Sequence, residues 1–239
     1  MLVTNFKLKY FLNKIVCSLY QLADVGRVHP LRERSLRELQ RTVDYIEKAM
    51  PDALGVETQR EIIDFALKST AIEGHYLEFG VFTGGTMRFM ADRVHGRLIH
   101  GFDSFEGLPE AWAGFNLAGR TFDTKGRLPR VPANVRLHRG WFDQSLPAWL
   151  AENPGPVAFI HVDCDLYSST KTIFTLLAER IVPGTVILFD EYFNYPNWER
   201  HEYRAFQEFV RERAIGYSYL GFARQQVAVR IDSIGAQPP

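Results

Sequence analysis

A chain of 239 residues has room for one α/β domain with a substantial core plus an appendage. Its 28 Lys and Arg balance 28 Asp and Glu, and a formal charge of zero argues against a nucleic-acid partner held by phosphate neutralisation. The two cysteines, Cys17 and Cys164, lie far apart without metal-ligand spacing and read as free thiols in a reducing, cytoplasmic compartment; no run approaches the roughly 20 apolar residues of a membrane span.

Near the N-terminus, Leu8, Phe11, Leu12, Ile15, Val16, Leu19 and Leu22 fall at i, i+3, i+4 spacing, with Lys7, Lys9, Asn13, Lys14 and Gln21 between them. The pattern predicts an amphipathic helix. Asn13 and Lys14 break its apolar region and no small-residue cleavage site follows, so a signal peptide is not expected. Packing on the domain, on a second subunit or over an active site is the commoner fate of such a helix than membrane-surface binding. A second helix is predicted from Leu31 to Met50, between Pro30 and Pro51, where Leu36, Leu39, Val43, Ile46 and Met50 recur at heptad-like spacing. A third spans Glu57 to Thr70. All three precede the first predicted strand. Residues 1–70 therefore read as an N-terminal helical cap or lid, through which a homo-oligomer would form, and residues 71–234 as the main domain.

From there the pattern alternates. Seven strands are predicted, at Tyr76 to Phe79, Leu98 to Phe102, Val135 to His138, Val157 to Val162, Val186 to Phe189, Tyr217 to Gly221 and Gln226 to Ile231, with helices between most of them. Such alternation implies a mostly parallel sheet covered by helices. The short Phe222 to Gln225 connection makes the last two strands an antiparallel hairpin. Five βα units closed by a hairpin is a methyltransferase-type order rather than the two mononucleotide halves of a dehydrogenase. Between Gly107 and Ala133 the chain is rich in Gly, Pro, Arg and aromatics without a sustained period, which marks a long loop on the ligand edge, a lid over cofactor or substrate or a plain surface excursion. The tail, Gly235 to Pro239, reads as frayed.

The stretch YLEFGVFTGGT, Tyr76 to Thr86, carries an acid, Glu78, into a loop punctuated by Gly80, Gly84 and Gly85. Glycine permits positive φ and lets a ligand reach main-chain N–H groups. Strand, glycine loop and helix in this order begin an open α/β nucleotide-binding sheet. The spacing G-x-x-x-G-G is neither the dinucleotide fingerprint nor a P-loop, and an acid on the loop suits a cationic ligand better than a pyrophosphate. Asp103 closes the second strand about 20 residues on, the spacing at which an acid accepts hydrogen bonds from ribose hydroxyls. Further along, Arg139-Gly-Trp-Phe-Asp143 ends the third strand, where the aromatics either flank an adenine or pack in the core.

HVDCDLYSST sets Asp163 and Asp165 at the end of the fourth strand, and ILFDEYFN sets Asp190 and Glu191 at the end of the fifth. Adjacent parallel strands bring these ends together. Like charges so gathered raise one another's pKa unless a cation intervenes, and hard oxygen ligands in this number suit Mg²⁺. Asp165, just ahead of a predicted helix, reads better as an N-cap. Tyr192, Tyr195 and Trp198 either stack on an acceptor or pack.

At these residues the chain resembles the macrocin O-methyltransferase family of class I S-adenosylmethionine-dependent enzymes. The matching segments are LEFGVFTGGT, GFDSFEGLPE, RGWFDQSLP, VDCDLYSSTK and PGTVILFDEYFN, within Leu77 to Asn194. The resemblance implies a Rossmann-like sheet with the cofactor's methionine end held by Glu78, Gly80, Thr83, Gly84 and Gly85. Its ribose would lie at Asp103 and Ser104, and its adenine at Gly140, Trp141 and Phe142. Magnesium would be held by Asp163, Asp190 and Glu191, although the family more often has aspartate at the last position.

The expected activity is Mg²⁺-assisted O-methylation of a hydroxyl on a sugar or glycosylated natural product, with Asp163 as general base and His201 as the alternative. His161 reads as a core histidine. The competing readings are an NAD-dependent oxidoreductase on a Rossmann sheet, a catalytically silent methyltransferase-like binding or assembly protein, and a hydroxylase lookalike, which would need a redox metal.

Overall fold

The computed structural model describes residues 30–112 and 119–235. The amphipathic helix expected over Leu8 to Leu22, Cys17 and the last four residues of the tail lie outside them. Helix α1 runs Pro30–Ala49, the β1 strand is Leu54–Gly55, and helix α2 is Gln59–Lys68. The alternating part follows as β2 (His75–Phe79), α3 (Gly85–Ala91), β3 (Ile99–Asp103), β4 (Val135–Arg139), α4 (Phe142–Glu152), β5 (Val157–Val162), α5 (Tyr167–Leu177) and β6 (Ile181–Phe189). A 3₁₀ turn at Trp198–Arg200 leads into α6 (Glu202–Glu212), and β7 (Ile215–Phe222) and β8 (Val227–Ile234) close the chain.

The eight strands form one sheet in the order β1-β7-β8-β6-β5-β2-β3-β4. All neighbours are parallel except β8, which runs antiparallel to both β6 and β7. The seven strands expected from the sequence are present. The eighth, β1, pairs with β7 at the edge, and two exposed residues carry no alternation by which to find it. After the edge strand β1, the chain re-enters the sheet at β2, winds outward through β3 and β4, and returns beside β2 as β5. The carboxyl ends of β2 and β5 are thus a topological switch point, where an open α/β sheet has a crevice.

Buried strands supply both faces. On one, Ile62, Ile63 and Ala66 of α2 and Met87 and Met90 of α3 pack with Tyr76, Ile99, Phe159, Val186 and Leu188. On the other, Leu146, Trp149, Ile173, Phe174, Phe206 and Phe209 of α4, α5 and α6 cover Leu77, Phe79, Phe102, Ile160, Ile187 and Phe189. Alternate residues of each strand thus feed opposite layers. Helix α2 is started by a capping box, in which Thr58 and Glu61 exchange hydrogen bonds across its first turn. A boundary at residue 70 is not where the contacts divide. The compact unit containing the sheet runs from Glu38 and takes in α2 as a covering helix rather than as part of a separate cap.

Candidate active site

The strand ends converge because the ladder continues one residue past each: Gly80 N–H donates to the Phe102 carbonyl, Asp163 N–H to that of Phe79, and Asp190 N–H to that of Val162. Gly80 has φ of 92° and packs so closely on the Asp163 carbonyl that any Cβ would collide with it. Beside it Asp103 ties two loops together. Its Oδ2 accepts from the amides of Val81 (2.8 Å) and Phe82 (2.7 Å), and its Oδ1 accepts from that of Phe105 (2.6 Å).

Over these ends lies a cleft of about 640 Å³. One part is lined by Gly80, Asp103, Ser104, Trp141 and Phe142, another by Asp163, Asp165, Glu191 and the start of α5. Leu108, Trp112 and Phe122, from the described part of the long loop, form an apolar wall. That loop is fastened across the cleft by a 2.6 Å hydrogen bond from the Ser168 hydroxyl to Glu110. Residues 113–118 of the loop lie outside the description.

Beneath the cleft the charges are organised in two groups. His161 is fully buried and donates from Nδ1 to Glu78 Oε1 at 3.0 Å, while its Nε2 faces Asp190 Oδ1 at 3.6 Å. Burial opposes a charged imidazole, but the carboxylates of Asp190, Glu78 and Asp163 outweigh it and hold the His161 pKa well above its ordinary value. Burial likewise pushes Asp190 up, yet His161 and a 2.6 Å hydrogen bond from Gln59 leave its carboxyl below the usual range. The second group is Asp163, Asp165 and Glu191, whose ligand oxygens all lie within 4.8 Å of one another. Burial, then the charge of Asp190, drives Asp163 and Glu191 well above ordinary carboxylates and Asp165 to about 7. Glu191 Oε2 and Glu78 Oε2 are buried without a hydrogen-bond partner among the described residues. Such a set of crowded, under-satisfied carboxylates is short of positive charge.

Residues 77–192 match the family described as a methyltransferase domain.

A curated relative is the 8-demethyl-8-(2,3-dimethoxy-alpha-L-rhamnosyl)-tetracenomycin-C 4'-O-methyltransferase of Streptomyces olivaceus, 33% identical over 143 residues. The match covers 51% of this chain and 54% of the relative, so the chain spans about half the length of the protein it matches. Two solved structures share the fold. The calicheamicin methyltransferase CalS11 has a TM-score of 0.58 at 20% identity, over 87% of this chain and 98% of that one. The O-methyltransferase NovP has 0.52 at 24%, over 73% and 77%.

Within residues 77–192, the residues expected to hold cofactor divide. Gly80, Asp103, Ser104, Trp141 and Phe142 line the cleft, whereas Glu78, Thr83, Gly84, Gly85 and Gly140 do not. Glu78 is fully buried behind the glycine loop, facing His161. Gly84, at φ of 74°, is the left-handed entry to α3, and Gly85 is that helix's first residue. Of the expected metal set, Asp163 and Glu191 come together, but Asp165 joins them while Asp190 is engaged by His161 and Gln59. Asp165 is not a cap, since Leu166 holds that position without a side-chain bond.

His201 is a buried ring packed edge-on to Trp112, with neither nitrogen hydrogen-bonded among the described residues. It does not line the cleft, and burial lowers its pKa. Tyr192, Tyr195 and Trp198 are core residues, packed with Tyr45, Tyr203, Tyr219 and Trp112, and offer no face to an acceptor. The aromatic wall comes from Trp112 and Phe122, which the aperiodic loop concealed. Also missed was Glu202, a fully buried acid at the start of α6.

Proposed function

We propose that this protein transfers a methyl group from S-adenosylmethionine to a hydroxyl of a sugar or glycosylated small molecule, with a divalent cation held at the acidic cluster. One observation carries the reading: a single cleft joins Asp103, Trp141 and Phe142 to the carboxylates of Asp163, Asp165 and Glu191. The relative's name, that of an O-methyltransferase acting on a rhamnosyl compound, supports the choice of acceptor class.

Asp103, already held by three amides, has one lone-pair position left, on Oδ1, to accept from a ribose hydroxyl. Trp141 and Phe142 border the adenine. The donor set fits Mg²⁺, being all oxygen, crowded and under-satisfied. When bound, such a cation lowers the pKa of an acceptor hydroxyl. Asp163 takes the hydroxyl proton at a carboxylate oxygen, and the apolar wall of Leu108, Trp112 and Phe122 excludes water from the line between acceptor oxygen and methyl donor.

The test is calorimetric titration with S-adenosylhomocysteine, followed by incubation with S-adenosylmethionine and a panel of rhamnosides and other glycosides, with Mg²⁺ or with EDTA. Binding of the cofactor product and a mass gain of one methylene on a sugar support the reading. No binding sinks it, and transfer undiminished by EDTA removes the cation.

A further inference from the structure

We propose that Glu202 is a positioning residue that fixes the spacing of the acidic cluster by clamping the loops after β5 and β6 to one another. The proposal rests on the reading of that cluster as a cation site, but its geometry stands by itself. The ladder between β5 and β6 ends at Val162 opposite Phe189, with one further bond from Asp190. Beyond that point the two chains part, and Asp165 turns through a left-handed φ of 66°. Glu202 reaches into the gap from the first turn of α6. Its Oε1 accepts from the amides of Cys164 (3.4 Å) and Asp165 (3.3 Å), and its Oε2 accepts from that of Glu191 (3.2 Å).

One carboxylate thus reads amides of both loops, and two of those amides belong to residues whose side chains form the cluster. A change at Glu202 moves Asp165 and Glu191 through their own backbones. From the other side the Tyr195 hydroxyl donates to the Glu191 carbonyl, so this residue is held at both ends of its peptide unit. Glu202 is fully buried beside other acids, and its hydrogen-bond partners among the described residues are backbone amides rather than a basic side chain. Burying a carboxylate among carboxylates is costly, and a hydrophobic residue would fill the same space without repulsion. What only a carboxylate supplies at this point is two acceptor oxygens facing opposite loops. Groups that hold a metal's ligands from behind typically change its affinity by about 10- to 100-fold when removed.

The test uses the full chain with Mn²⁺ as the probe, titrated calorimetrically into wild type, Glu202→Gln and Glu202→Ala, and S-adenosylhomocysteine titrated separately into each. Amide hydrogen exchange is measured on the wild type. The expected result is Mn²⁺ binding weakened at least about 10-fold in both variants, with affinity for the cofactor product unchanged. Glutamine keeps the shape but turns an NH₂ group toward a backbone N–H; if it binds Mn²⁺ like wild type, Glu202 merely fills space and the proposal is overturned.

Should both variants fail to fold, exchange in the wild type decides. Amides of Cys164, Asp165 and Glu191 as slow as those of β5 uphold the clamp, and loop-like rates overturn it. A wild type that binds no Mn²⁺ defeats the cation reading, and one that binds no cofactor product defeats the functional reading; in either case the exchange rates still decide whether Glu202 holds the loops.

Discussion

Gly80 and Asp163 touch through their backbones: the left-handed glycine after β2 leaves no room for a Cβ against the Asp163 carbonyl at the end of β5. The contact lies at the switch point of the sheet, so the glycine loop after β2 and the acid after β5 share one wall of the cleft. Gly80→Ala adds a left-handed strain of roughly 1–2 kcal/mol and an overlap costing about 1–3 kcal/mol. We expect it to lower unfolding free energy in urea by an amount in that combined range and to weaken S-adenosylhomocysteine and Mn²⁺ binding together. Loss of one affinity with the other intact would show that the contact does not couple the two halves.

Glu78, His161 and Asp190 make a second connection below the cleft. Removing the central charge leaves two buried carboxylates facing one another without a counter-ion, a change that costs about 3–5 kcal/mol for a broken buried pair. His161→Leu should therefore unfold at markedly lower urea, whereas Glu78→Gln, which keeps an acceptor for Nδ1, should cost less. Equal midpoints for wild type and His161→Leu would mean that the imidazole is not charged in the folded protein.

Much of this frame is legible in the chain. The β2, β3, β5 and β6 strands are apolar runs ending in Glu78-Phe-Gly80, Asp103, Asp163 and Asp190, so both the strands and the ends that carry chemistry can be read from residue type. Direction cannot. Glu78 and Asp190 carry the right chemistry at the right ends, yet face His161, because a carboxylate's orientation depends on what lies on the neighbouring strand. Glu202 is indistinguishable in sequence from an ordinary acid in a helix's first turn, and only the path of two loops 10 and more residues upstream gives it a role. Tyr192, Tyr195 and Trp198 mislead for the opposite reason. Aromatics near a strand end suggest a ligand platform, but here they seal α1 and α6 to the sheet.

Outside the cleft lining, His75, His100 and His138 are neighbours on β2, β3 and β4. The Trp149 indole N–H donates to His100 Nδ1 at 3.1 Å, so that nitrogen carries no proton, and His138 Nε2 lies 2.9 Å from the same nitrogen. Burial, with the charges of His138, His75 and Arg136, lowers the His100 pKa to about 4. A histidine whose folded pKa lies below its unfolded value of about 6.5 binds its proton preferentially in the unfolded chain. Its stabilising contribution is therefore complete above that value and is lost as pH falls toward 4. We expect His100→Gln to flatten the decline of stability between pH 6.5 and 4, measured as urea midpoints; a slope equal to that of wild type would place the titration elsewhere.

The grouping of Asp165 with Asp163 and Glu191, while Asp190 answers to His161 and Gln59, makes the last expectation the most discriminating. If Asp165 supplies a ligand oxygen, Asp165→Asn removes charge from the cation site without breaking a buried pair. Mn²⁺ affinity should fall and stability without metal should hold or rise, since like charges are relieved. Asp190→Asn removes the carboxylate facing His161 Nε2 and should lower stability whether metal is present or not. Two measurements separate them, the thermal midpoint with EDTA and its rise on adding Mg²⁺. Asp165→Asn is expected to keep the first and lose most of the second, and Asp190→Asn to lower the first and keep part of the second. The reverse pattern would return Asp190 to the ligand set and make Asp165 a bystander.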